Sequence, residues 1–161
     1  MRRGDLAEVI DALREPVRAF VRDTRVRVAL VVDASGQLLA QQGFTGGYEV
    51  ANVASLAAAA HASSRALAEL TAAQRWNYLH QVGRERQLFL APFATPTEEL
   101  ILVAIFDDDS SLGLVLLYFE DFARRIGDLP QFRNADRTGS AETFESDLEA
   151  GLRHIMPPDW L

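Results

Sequence analysis

The stretch VANVASLAAAAHASSRALAEL, Val50 to Leu70, constrains the fold more than any other part of the chain. More than half of its residues are alanine or serine. No β-strand carries such a composition, whereas alanine is the best helix former. A helix over Val50–Leu70 is therefore expected, and its faces differ. Val53, Leu56, Ala60, Ser63, Leu67 and Leu70 recur at spacings of three and four. This stripe, with its three leucines, is expected to cover a sheet. A second stripe, Ala51, Ser55, Ala59, Ala62 and Ala66, holds nothing larger than a hydroxyl where a surface helix would place Lys, Glu or Arg. So small a face lets another backbone approach closely. Either the N-terminal helix packs on it or another protein does.

The elements around this helix follow from periodicity and turn chemistry. Leu6, Val9, Ile10, Leu13, Val17, Phe20 and Val21 give Asp5–Arg22 the spacing of an amphipathic helix. Pro16 lies inside it and should kink or break it. Val26–Gly43 reads as a hairpin turned by Asp33-Ala34-Ser35-Gly36. A short helical segment is expected over Thr71–Gln81. Arg86–Thr95 reads as a strand that Pro92 should confine to a sheet edge. Glu99–Asp108 reads as a buried strand and Leu112–Phe119 as its hairpin partner. Asp121–Leu129 reads as a helix. The polar run Gln131–Ser140 resembles a linker. Beyond it, Phe144, Leu148, Leu152 and Ile155 mark a short amphipathic helix. The expected order is helix, two strands, helix, three strands, helix and tail. Strands joined by hairpins favour an antiparallel sheet with packed helices, an α+β fold. The division read from the sequence is a domain over 1–129, a linker over 130–141 and a C-terminal helix with its tail over 142–161.

Composition excludes several functions. The net charge of −7 opposes nucleic acid as a main partner. Every one of the 16 basic residues is arginine. The chain has no cysteine, so disulfides, thiolate nucleophiles and cysteine-based zinc sites are out of reach. No apolar run reaches the ~18–20 residues of a membrane span, and the acids in MRRGDLAEVID do not suit a signal peptide. A cytoplasmic protein is expected.

The candidate chemistry is thin. Asp107, Asp108 and Asp109 fall where the chain must reverse, and adjacent strand residues point to opposite faces. They lack the alternate spacing of a calcium loop and read as a solvated turn. GFTGG at 43–47 has no lysine after it and is no phosphate loop. His61, His80 and His154 lie on three separate elements, without a nucleophile elbow. Arg75, Arg84 and Arg86 either balance nearby acids or serve as arginine fingers toward a partner's phosphoryl transfer. The features that stand out are surfaces: the alanine-faced helix and the amphipathic tail. A small-molecule sensor on such a sheet would instead need a polar-lined pocket.

Three segments carry a family resemblance: VALVVDASGQLLAQQG, ASLAAAAHASSRALAEL and ELILVAIFDDDSSLGLVLLYFE. Together they resemble the Roadblock/dynein-light-chain domain over roughly 26–120. An Asp-x-x-Gly hairpin precedes the long helix, and Phe106, Asp107, Ser111, Leu112 and Gly113 match the Phe-Asp and Ser-Leu-Gly pattern. Within the family the chain looks most similar to the bacterial MglB type, which accelerates GTP hydrolysis by the Ras-like GTPase MglA.

The resemblance implies a five-stranded antiparallel sheet with one long helix on one face and the terminal helices on the other. It implies a homodimer, or a tetramer built from it, that regulates a small GTPase without cofactor and without chemistry of its own. Ser55, Ala59, Ala62, Ser63 and Ala66 become the GTPase face. Leu88 and Leu90 fall on the dimer strand, and Phe144, Leu148 and Leu152 become the anchor of the tail. A scaffold that recruits the GTPase without activating it is the alternative.

Overall fold

The computed structural model describes residues 3–133 apart from Tyr48, Gln74 and Arg75. The elements are α1 (Arg3–Thr24), β1 (Val28–Asp33), β2 (Leu38–Gly43), α2 (Val50–Leu70), β3 (Leu79–Val82), β4 (Gln87–Ala94), β5 (Glu99–Phe106), α3 (Leu112–Gly127) and α4 (Pro130–Arg133). The strands form one antiparallel sheet in the order β2-β1-β5-β4-β3. β5 sits at its centre, pairing Val28 with Ile105 on one side and Gln87 with Phe106 on the other.

Strand alternation sorts the core into two layers. Ala29, Val31, Phe89, Ala91, Phe93, Leu100, Leu102, Ala104 and Phe106 face α1 and α3, where Leu13, Val17, Phe20, Val115, Phe122 and Ile126 meet them. Val28, Leu30, Val32, Leu90, Ile101, Val103 and Ile105 face α2. The architecture is thus the expected one: an antiparallel α+β sheet, the long helix on one face, and the terminal helices together on the other.

The β1–β2 turn forms as its sequence predicts. Asp33 Oδ1 accepts from the backbone N–H of Ser35 and of Gln37, both at 2.9 Å, and Gly36 takes φ +88°. The turn also packs on α2, since a Cβ at Gly36 would stand 3.0 Å from Ser55 Cα.

Several expectations need correction. Leu112–Phe119 is not a strand but the first half of α3. Ser111 caps that helix by accepting from Leu114 N–H at 3.2 Å. Leu112, Val115, Phe119, Phe122 and Ile126 follow the three-and-four spacing of a helix face, and all are buried or partly buried in its core. The fifth strand is β3, which begins within the segment expected to be helical and ends one residue beyond it. The aspartates therefore turn the chain from β5 into α3 rather than around a hairpin. α1 runs through Pro16 without a break, held by Leu13, Val17 and Phe20 in the core. β4 is not an edge strand. However, β3 reaches only as far as Leu90, so Pro92 faces β5 alone and β3 asks no ladder donor of it. Beyond α3, Phe132 of α4 is buried with α1 and α3.

Candidate partner-binding surface

α2 lies on the sheet with its alanines, not its leucines. Ala54, Ala57, Ala58, His61 and Ala68 are its buried residues. Small side chains bring the helix axis close to the sheet, and the large residues are turned outward. Leu56, Leu67 and Leu70 are 70%, 51% and 84% exposed. Of the stripe expected to cover the sheet, Val53 and Ala60 touch the core at its margin, whereas Leu56, Ser63, Leu67 and Leu70 form a bare seam. Monomeric proteins seldom leave such a patch open without use.

The expected partner face is exposed as well. Ser55, Ala59, Ala62, Ser63 and Ala66 all reach solvent. They adjoin the leucine seam around the helix; Ser55 is approached by Gly36 of the β1–β2 turn, and α1 lies on the opposite side of the sheet. Arg65 is the single arginine of α2, and it has no ion-pair partner among the described residues.

The residues expected on the dimer strand are placed inside the sheet. Leu88 and Leu90 belong to β4, flanked by β3 and β5. Leu90 is buried under α2, and Leu88 is partly buried on the same face. The free edge beside them is β3, whose Val82 is 71% exposed, with Tyr78 and Trp76 leading into it. This edge escaped the sequence reading because its four residues are flanked by polar ones. The tail residues Phe144, Leu148 and Leu152 lie outside the described residues.

The acidic turn and the two described histidines make contacts within the fold. Arg27 donates to Asp107 Oδ2 at 2.6 Å and to Asp109 Oδ2 at 2.9 Å, clamping the start of β1 to the turn after β5. The Asp109 N–H and this guanidinium hold the Asp107 carboxyl below its usual pKa. His80 Nε2 lies 2.9 Å from Gln87 Oε1, and its ring stacks on Phe106. His61 Nε2 lies 2.8 Å from Glu99 Oε1. Arg84 and Arg86 stand on the exposed β3–β4 turn, and Arg75 is outside the described residues. No metal-binding group of acids and histidines occurs among the described residues. No described helix is long and apolar enough to cross a membrane.

A five-stranded antiparallel sheet with the alanine-backed α2 on one face and α1, α3 and α4 on the other defines a class of small α+β domain. The sequence model of the Roadblock/LC7 domain matches residues 14–106, and the chain belongs to that family. Among solved structures it is similar to Myxococcus xanthus MglB, at 25% identity and TM-score 0.67 over 73% of this chain and 86% of that one. The gliding protein MglB from Thermus thermophilus aligns at 24% identity and TM-score 0.64, over 74% of this chain and 88% of that one. An MglB with a tetrameric arrangement aligns at 23% identity and TM-score 0.65, over 84% and 95%. No curated protein sequence matches the chain. Its fold is that of the Roadblock/LC7 family, with MglB structures among its neighbours.

Proposed function

We propose that the protein is a homodimeric regulator of a small Ras-like GTPase of the MglA type, accelerating GTP hydrolysis by ordering the GTPase's own catalytic residues. The observation that carries the reading is the symmetry of the outward seam of α2. Read in order, Val53, Leu56, Ala60, Ser63, Leu67 and Leu70 run large, large, small, small, large, large. Two copies set antiparallel then match Leu56 with Leu67 of a second copy, Val53 with Leu70, and Ala60 with Ser63. A self-complementary patch of this kind suits a two-fold interface. The small pair at the crossing point lets the helices close together. Leu88 lies beneath this region and the β3 edge continues it.

Dimerisation along the seam leaves Ser55, Ala59, Ala62 and Ala66 of both copies facing outward as one platform for the GTPase, with Ser63 at its border. The segment carrying Phe144, Leu148 and Leu152 would add a second contact. The protein itself supplies no catalytic group in this reading. The deciding experiment measures GTP hydrolysis by the MglA-type GTPase of the same genome with and without a twofold excess of this protein. Acceleration is expected. Co-elution without acceleration would replace activation by recruitment.

A further inference from the structure

His61 is the exception on the inner face of α2. Its buried neighbours on that face are all alanine. An imidazole there, bonded to Glu99, loses hydration that alanine would not, and a buried hydrogen bond returns little net stability. The pair forms the floor of a cavity of about 310 Å³ under the C-terminal end of α2. Ser64, Arg65, Ala68 and Glu69 of the helix, Trp76 of the following connection and Pro92 of β4 complete its walls. The cavity exists because β3 stops opposite Leu90 and leaves the sheet bare at Pro92. A larger cleft of about 470 Å³ at the start of β1 holds Arg27, but Asp107 and Asp109 already occupy that guanidinium.

From this arrangement we infer that the cavity is a binding site for a small planar aromatic or heteroaromatic carboxylate. Its size lies at the lower end of the roughly 300–1,000 Å³ typical of small-molecule sites. Trp76 and the Pro92 ring offer flat apolar walls for an aromatic ring. The Arg65 guanidinium is permanently charged and without an ion-pair partner among the described residues, so it is free to take a carboxylate bidentately. Ser64 adds a hydroxyl that makes no hydrogen bond among the described residues. His61 Nε2 is committed to Glu99, which leaves Nδ1 as the ring nitrogen not used by that pair. Two acids also line the cavity. Glu99 is engaged by His61, and Glu69 stands exposed at the rim, one turn beyond Arg65. The outward leucines of α2 take no part in the lining, so the site does not depend on the proposed seam or on any GTPase.

The test uses the full chain carrying Trp160→Phe, which makes Trp76 the sole tryptophan. Benzoate and nicotinate are titrated while Trp76 fluorescence and the His61 imidazole NMR signals are followed. Saturable quenching together with a His61 shift is expected for at least one probe, with a dissociation constant near or below about 1 mM. Arg65→Ala should weaken that affinity by about tenfold or more, as loss of a charge-assisted bond does. Leu70→Ala, on the outward seam, should leave it unchanged. Quenching that stays linear for both probes to about 10 mM would overturn the site. So would saturation without a His61 shift, or an affinity indifferent to Arg65→Ala.

Discussion

Nε2 of His61 lies 2.8 Å from Oε1 of Glu99, joining the sole buried imidazole of α2 to the first residue of the central strand. The rest of that helix rests on the sheet through Ala54, Ala57, Ala58 and Ala68, with Val50, Val53 and Ala60 packed at the margin. The histidine adds a directional hydrogen bond to this apolar contact. His61→Ala should cost about 1–3 kcal/mol, from the lost bond and the space left behind. A double-mutant cycle with Glu99→Gln, read by urea denaturation, should show a coupling above about 0.5 kcal/mol. Additive effects would mean that the two groups are merely adjacent.

The outward leucines give a sharper test of assembly. Leu56→Glu together with Leu67→Glu places charges on the seam where each leucine would meet the other across the two-fold. The substituted chain should be a folded monomer by light scattering, with unchanged far-UV circular dichroism. These positions are already solvent-exposed in the single chain, so folding should be spared. A dimer that persists would move the interface away from α2, leaving the β3 edge as the remaining candidate.

Much of this surface was legible before the structure, but the leucine stripe was assigned to the sheet and is found outside. The Val50–Leu70 helix is plain from its alanines, and Asp33 to Gly36 announces its turn. Helical spacing locates a leucine stripe without saying whether a sheet or a second protein covers it. Large residues normally belong inside, and here alanine's advantage in close helix-on-sheet packing prevails. The start of α3 misled for a related reason. LVLLYF has the apolar density of a strand, yet Ser111 supplies a cap, and Val115, Phe119 and Phe122 keep helical spacing. β3 could not be read because four residues carry little periodicity, and their conformation depends on pairing with β4.

The small face beside the seam is the proposed docking surface for the GTPase. Ala62→Arg together with Ala66→Arg adds two bulky charges to a surface on which another backbone is proposed to rest. GTPase binding by calorimetry should be lost, while light scattering still reports a dimer. Unchanged affinity would reject this face as the docking site. Loss of the dimer as well would place these alanines in the self-interface instead.

Two carboxylates should impose opposite pH dependences on stability. Burial, then the nearby Asp33 charge, raises the pKa of Glu98 above its usual value. The native state therefore holds that proton more tightly than the unfolded chain, and ionised Glu98 opposes folding at neutral pH. Glu98→Gln should raise Tm at pH 7, by an amount equivalent to a few tenths of a kcal/mol at this partly exposed site. The gain should fade as pH falls into the range where Glu98 is protonated. Asp107 behaves in the reverse sense. The Asp109 N–H and Arg27 lower its pKa, so its contribution is present above the ordinary aspartate range and is lost as pH falls through the lowered value. Asp107→Asn should therefore lower Tm at pH 7 and make little difference in strong acid. Thermal melts of both variants from pH 7 down to about pH 2 should show the two differences shrinking from opposite signs. A destabilising Glu98→Gln at neutral pH would mean that its charge is used by a partner rather than merely tolerated.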